Sequence, residues 1–128
     1  MRGYGFTLLL HDDPRIIERY REHHRRAWSV VPARLREAGI ERMRIFLVGR
    51  RLFMYCEVRD GSDPRRDLAR LGDDPDYRRW DELMRSMQEV APEAAPGEWW
   101  ASMEQVYDLD WPVAEEAEEG GDGRAAPG

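Results

Sequence analysis

Three Asp-Pro dipeptides, Asp13-Pro14, Asp63-Pro64 and Asp74-Pro75, constrain this chain more than any other feature. Aspartate accepts hydrogen bonds from the free N–H groups of a first helical turn. Proline suits the first helical position, where an N–H would go unpaired anyway. Each dipeptide therefore predicts a helix start. Apolar runs lie before and between them. Residues 4 to 10, Tyr-Gly-Phe-Thr-Leu-Leu-Leu, read as a first strand. Arg44 to Val48 and Leu52 to Val58, separated by Gly49-Arg50-Arg51, read as a hairpin.

The first helix is predicted from Pro14 to about Ala38, stopped by Gly39, with Pro32 kinking or dividing it. A short helix over about 64–71 ends at Gly72, and a longer one covers about 75–90. Pro92, Pro96 and Gly97 mark a loop, and a last strand is predicted from about Ser102 to Leu109. The order is β-α-β-β-α-β, the ferredoxin-like α+β pattern, in which a four-stranded antiparallel sheet carries its helices on one face. Runs such as Phe6–Leu10 and Ile45–Val48 look apolar on both faces. A second copy packed against the open sheet face would cover them, so a homodimer is expected. The domain is placed at residues 1–111. Residues 112–128, rich in Glu, Gly and Ala, have little to bury and are expected to form a disordered acidic tail.

Charge and cysteine content exclude several classes. A net charge of −6 argues against nucleic acid or an anionic membrane as partner. The basic residues are all arginine, so lysine Schiff-base chemistry is absent. Cys56 is the single cysteine and sits in a strand, which predicts a buried structural thiol. No leader peptide is evident, and no apolar stretch approaches the roughly 20 residues that span a bilayer. A cytoplasmic protein is expected. His23 and His24 are adjacent and His11 is distant, so no metal spacing is present. Glycine-rich phosphate loops and G-x-S-x-G elbows are also missing, and no cofactor is expected.

One face of the first helix carries Ile17, Tyr20, His24, Trp28, Val31 and Leu35, at spacings of three and four. Tyr20, His24 and Trp28 thus stack on consecutive turns, while His23 is turned about 100° away and should be more exposed. His24 is either a core histidine between aromatics or a general acid/base in an aromatic-lined pocket, for which imidazole is suited near neutral pH. The later helix has a stripe of Tyr77, Trp80, Met84 and Met87. Trp80 is either core or a flat wall for a sugar. Its neighbour Asp81 is either solvated or placed to bond a hydroxyl.

The segment from Tyr20 through His24 to Trp28, ending in Gly39, is similar to the first helix of the L-rhamnose mutarotases. Tyr77-Arg-Arg-Trp80-Asp81-Glu-Leu-Met84 resembles the second-helix motif of that family, and Glu104-Gln105-Val106-Tyr107 its closing strand. The similarity covers about residues 3–109. It implies a dimeric α/β barrel and a cofactor-free isomerase acting on a monosaccharide such as L-rhamnose or a related deoxy sugar. It further implies His24 as proton donor/acceptor, Tyr20 as its hydroxyl-bearing neighbour, and Trp80, with Trp28 nearby, as an aromatic wall. Two positions depart from the family pattern: Asp81 replaces the second tryptophan of a pair, and Met43 stands where a substrate-contacting tyrosine is expected. The alternatives are a cofactor-free monooxygenase or cyclase of the same barrel type, acting on an aromatic substrate, and a non-catalytic small-molecule binding module. A polar pocket would favour the sugar and an apolar tunnel the aromatic substrate.

Overall fold

In the computed structural model, which describes residues 1–114, each Asp-Pro pair caps a helix. Asp13 accepts from the Arg15 N–H at 2.9 Å, Asp63 from the Arg65 N–H at 3.0 Å, and Asp74 from the Asp76 N–H at 2.9 Å. These caps open α1 (Pro14–Arg25), α3 (Pro64–Arg70) and α4 (Pro75–Met87). A short 3-10 turn, Leu71–Asp73, joins the last two.

The predicted first helix is divided, with α2 spanning Val30–Glu37. The break lies ahead of Pro32 rather than at it. A proline ring crowds the carbonyl four residues back, here that of Trp28, and provides no N–H to bond it. Val31 takes that carbonyl instead, at 2.9 Å, and Pro32 falls in the first turn of α2. Gly39 then reverses the chain at φ 100°, a region that disfavours side chains, and a Cβ there would collide with Ser62 Oγ.

The strands are β1 (Arg2–Leu10), β2 (Ile40–Val48), β3 (Arg51–Val58), β4 (Gln88–Glu89) and β5 (Ala101–Met103), all antiparallel. β3 lies between β2 and β1. The other edge of β1 is shared: β4 pairs with Leu9 and Leu10, and β5 with Gly5 to Thr7. Two short strands therefore fill the fourth position of the ferredoxin-like sheet. The strand expected over 102–109 is cut to three residues. Val106, Tyr107 and Leu109 stand exposed, and beyond Met103 no pairing to β1 continues among the described residues. The helix expected to reach residue 90 stops at Met87, where the backbone becomes extended and β4 begins. Of the expected acidic tail, residues 115–128 lie outside the described residues, and 112–114 carry no regular structure.

The core lies on one sheet face. Phe6, Leu8 and Leu10 of β1 and Leu52, Met54 and Cys56 of β3 point at the helices, as do Met43, Ile45 and Leu47 through their pairing with β3. Cys56 is fully buried, and burial pushes its thiol up to about 11, so it is inert at neutral pH. The opposite face carries Phe46 and Phe53, whose rings stack at 6.1 Å, and the exposed Val48. Over Ile45–Val48 β2 is thus apolar on both sides, but one chain covers only one of them: half-buried inward residues alternate with exposed outward ones. No helix among the described residues is long and apolar enough to cross a membrane.

Candidate active site

Division of the first helix opens a cavity of about 650 Å³ between α1–α2 and the helix-facing side of β2. Tyr20 and His24 enter it from α1. Val31 and Leu35 of α2, Met43, Ile45 and Leu47 of β2, and Leu52 of β3 form apolar walls. The exposed Arg21, Arg25, Arg36, Glu41 and Arg42 also border it.

Two of its polar groups are held in defined states. The Nδ1 atom of His24 lies 2.9 Å from the Tyr20 carbonyl oxygen, one turn back on α1. A carbonyl only accepts, so Nδ1 carries the proton and donates it, and Nε2 keeps its lone pair. Burial, aided by the nearby His23, holds His24 below the usual histidine range although the bond to Tyr20 opposes this. His24 is therefore neutral at physiological pH. The Tyr20 ring packs at 4.2 Å from the His24 ring, and burial pushes its phenol up to about 12. Its hydroxyl accepts from the Gln88 side-chain amide at 3.3 Å, and Gln88 Oε1 accepts from the Trp99 indole N–H at 2.7 Å. One side chain of the site is thus ready to take a proton and its neighbour holds one to give. Among the described residues no three His, Cys, Asp or Glu side chains gather as a metal ion would require.

The structure unites some of the residues singled out above and separates others. Tyr20, His24 and Met43 line the cavity. Trp28 and Trp80 meet edge-on at 5.2 Å, and His24 touches Trp80 at 5.6 Å, so the four aromatic and imidazole rings form one cluster. Trp80 is only 4% exposed and does not line the cavity. It packs against Leu8, Met84 and the rest of the core and braces His24 from behind. Trp28 stands in the α1–α2 connection, outside the cavity wall. Asp81 also lies away from the cavity, and its carboxylate accepts from Arg85 at 2.9 Å. His23 and His24 both fall in the half-buried range, and both imidazoles reach the Trp80 ring, at 6.3 and 5.6 Å. Only His24 borders the cavity. Sequence periodicity does not point to Gln88 or Trp99. Tyr20 and Gln88 are 68 residues apart, and a single glutamine after a helix end gives no periodic signal.

The L-rhamnose mutarotase family profile matches residues 3–109. A UPF0734 protein of Dictyostelium discoideum is 41% identical over 114 residues, which cover 86% of this chain and 91% of that protein. An L-fucose mutarotase of Xanthomonas campestris is 37% identical over 116 residues, covering 89% and 93%. Among solved structures, an L-rhamnose mutarotase of Formosa agariphila superposes with a TM-score of 0.64 at 18% identity, over 86% of this chain and all of that one. Tetracenomycin F2 cyclase of Streptomyces glaucescens, a type-II polyketide cyclase, does so with a TM-score of 0.56 at 18% identity, over 88% and 100%. Both superpositions carry the fold alone. With the profile covering nearly all of the described chain, and a curated mutarotase at this level of identity, the protein belongs to the L-rhamnose mutarotase family and is an isomerase of the mutarotase type.

Proposed function

We propose that the protein interconverts the α and β anomers of L-rhamnose or a related 6-deoxy sugar such as L-fucose, with Tyr20 and His24 moving the protons. The observation that carries this reading is the pair itself: an imidazole whose Nε2 is free, beside a phenol whose proton is retained, in one cavity. Ring opening needs both functions at once. His24 Nε2 takes the proton of the anomeric hydroxyl, the bond from C1 to the ring oxygen breaks, and the ring oxygen takes the proton of Tyr20. Although raised, the Tyr20 phenol stays more acidic than the aliphatic hydroxyl it creates. Rotation about C1–C2 presents the other aldehyde face. On closure Tyr20 recovers its proton from the attacking hydroxyl and His24 returns the other to the carbonyl oxygen, so both residues end as they began.

The walls support a deoxy sugar. Leu35, Ile45 and Leu47 offer contact to a methyl group but no partner for a hydroxyl on C6. The same walls would also accept a planar aromatic substrate, as the cyclase-like fold suggests, and the convergent proton pair favours the sugar. The sheet face bearing Phe46, Phe53 and Val48 is the proposed homodimer interface, and a cytoplasmic setting suits the unpaired Cys56. Exchange NMR on mixtures of sugar anomers tests the function. Cross-peaks between anomers that grow with enzyme concentration support it, and exchange at the spontaneous rate for every deoxy sugar tried contradicts it.

A further inference from the structure

We infer that Gln88, held by Trp99, is a positioning residue that keeps Tyr20 a hydrogen-bond donor to the substrate. The inference rests on the mutarotase reading above and adds the means by which the direction of the Tyr20 proton is set.

An indole N–H can only donate, so the oxygen of the Gln88 amide must be the atom 2.7 Å from Trp99 Nε1. That contact fixes the amide orientation and turns the nitrogen toward Tyr20 Oη, 3.3 Å away. A flipped amide would set its N–H groups against the indole N–H and leave two donors facing each other. The amide nitrogen can only donate as well. Tyr20 Oη is therefore an acceptor on the Gln88 side, and its own proton is left for a partner elsewhere. Tyr20 lines the cavity, and in the proposed reaction that partner is a sugar oxygen.

Burial makes this arrangement matter. Gln88 is 5% exposed and Tyr20 4%, so water is poorly placed to substitute for either bond. The three residues come from three parts of the chain: α1, β4 and the segment before β5. Trp99 is itself steadied by the Arg85 guanidinium, 4.7 Å from its ring centre. A glutamine whose role was only to fill space would need no donor at one end and acceptor at the other.

Gln88→Glu tests the inference, because it keeps the shape and the acceptor for Trp99 but reverses the polarity toward Tyr20. The ionised carboxylate of that variant accepts the Tyr20 proton and withholds it from the sugar. Anomer exchange should then fall about tenfold or more in kcat at neutral pH, with KM little changed, in keeping with the cost of a misdirected proton donor. A buried carboxyl gains a proton as pH falls and can then donate to Tyr20 as the amide does. The ratio of variant to wild-type activity should therefore rise toward acid pH. If Gln88→Glu fails to fold by circular dichroism, Trp99→Phe serves: it keeps a ring, removes the N–H that orients the amide, and should lower kcat several-fold at unchanged KM. Full activity of folded Gln88→Glu at every pH, a ratio that does not vary with pH, or an unchanged kcat in Trp99→Phe would overturn this inference alone. A wild-type protein that leaves exchange at its spontaneous rate would overturn the mutarotase reading and this inference with it.

Discussion

His24 donates its Nδ1–H to the main-chain carbonyl of Tyr20 at 2.9 Å, so the residue proposed to take a proton is oriented by the backbone of the residue proposed to give one. Both lie on the same face of α1, one turn apart, and their rings are 4.2 Å apart. The helix thus sets tautomer and spacing together, and the buried Trp80 blocks the imidazole from behind.

A pH dependence follows. Burial holds the His24 pKa below its ordinary 6.5, so the folded protein binds that proton less readily than the unfolded chain. Activity that needs neutral His24 should be flat at neutral pH and fall only on the acid side of 6.5. Stability follows the same sign: the contribution is complete above the unfolded value and is lost as pH falls through it toward the folded one. Urea midpoints measured between about pH 7.5 and pH 5 should decline more in wild type than in His24→Asn. Equal declines would remove His24 as the burdened group.

Gly39→Ala should destabilise the fold by about 1–3 kcal/mol, because a side chain at φ 100° is strained and its Cβ meets Ser62 Oγ. Adding Ser62→Ala should recover only part of the loss, since the backbone strain remains. Thermal unfolding of the single and double variants measures both quantities. Full recovery in the double variant would assign the whole cost to the contact.

Much of this scaffold was legible because its signals are local. Asp13, Asp63 and Asp74 each announce a helix by a side chain bonding an N–H two residues on. The helical spacing of Tyr20 and His24 likewise places both in one cavity. The hidden parts depend on long-range geometry. Trp80 follows the same periodicity, yet whether it faces a substrate or the core depends on what α1 lays over it. The fourth sheet position is filled by Gln88–Glu89 and Ala101–Met103, pieces too short for alternation to reveal. Gln88 and Trp99 meet only because the loop between these strands turns back on itself.

Phe46→Arg should shift the protein from dimer to monomer in light scattering, because it breaks the Phe46–Phe53 stack and sets a charge beside Phe53 in the proposed interface. Phe46 is 56% exposed in the single chain, so the monomer should keep its circular dichroism spectrum. A wild-type protein that is monomeric at micromolar concentration would rule out this interface.

L-Galactose is L-fucose with a hydroxyl on its methyl carbon. Against the walls of Leu35, Ile45 and Leu47 that hydroxyl goes unpaired, and kcat/KM should drop about 10- to 100-fold relative to L-fucose. Equal values for the two sugars would show that C6 does not face these walls.

The most direct test compares anomer exchange by NMR in wild type, His24→Asn and His23→Asn, each first shown to be folded. Asparagine keeps polarity but cannot exchange a proton near neutral pH. His24 borders the cavity while His23 packs edge-on to Trp80 outside the cavity lining, so His24→Asn should slow exchange by about 10²-fold or more and His23→Asn should change it little. Wild-type exchange rates in folded His24→Asn would contradict the account at its centre.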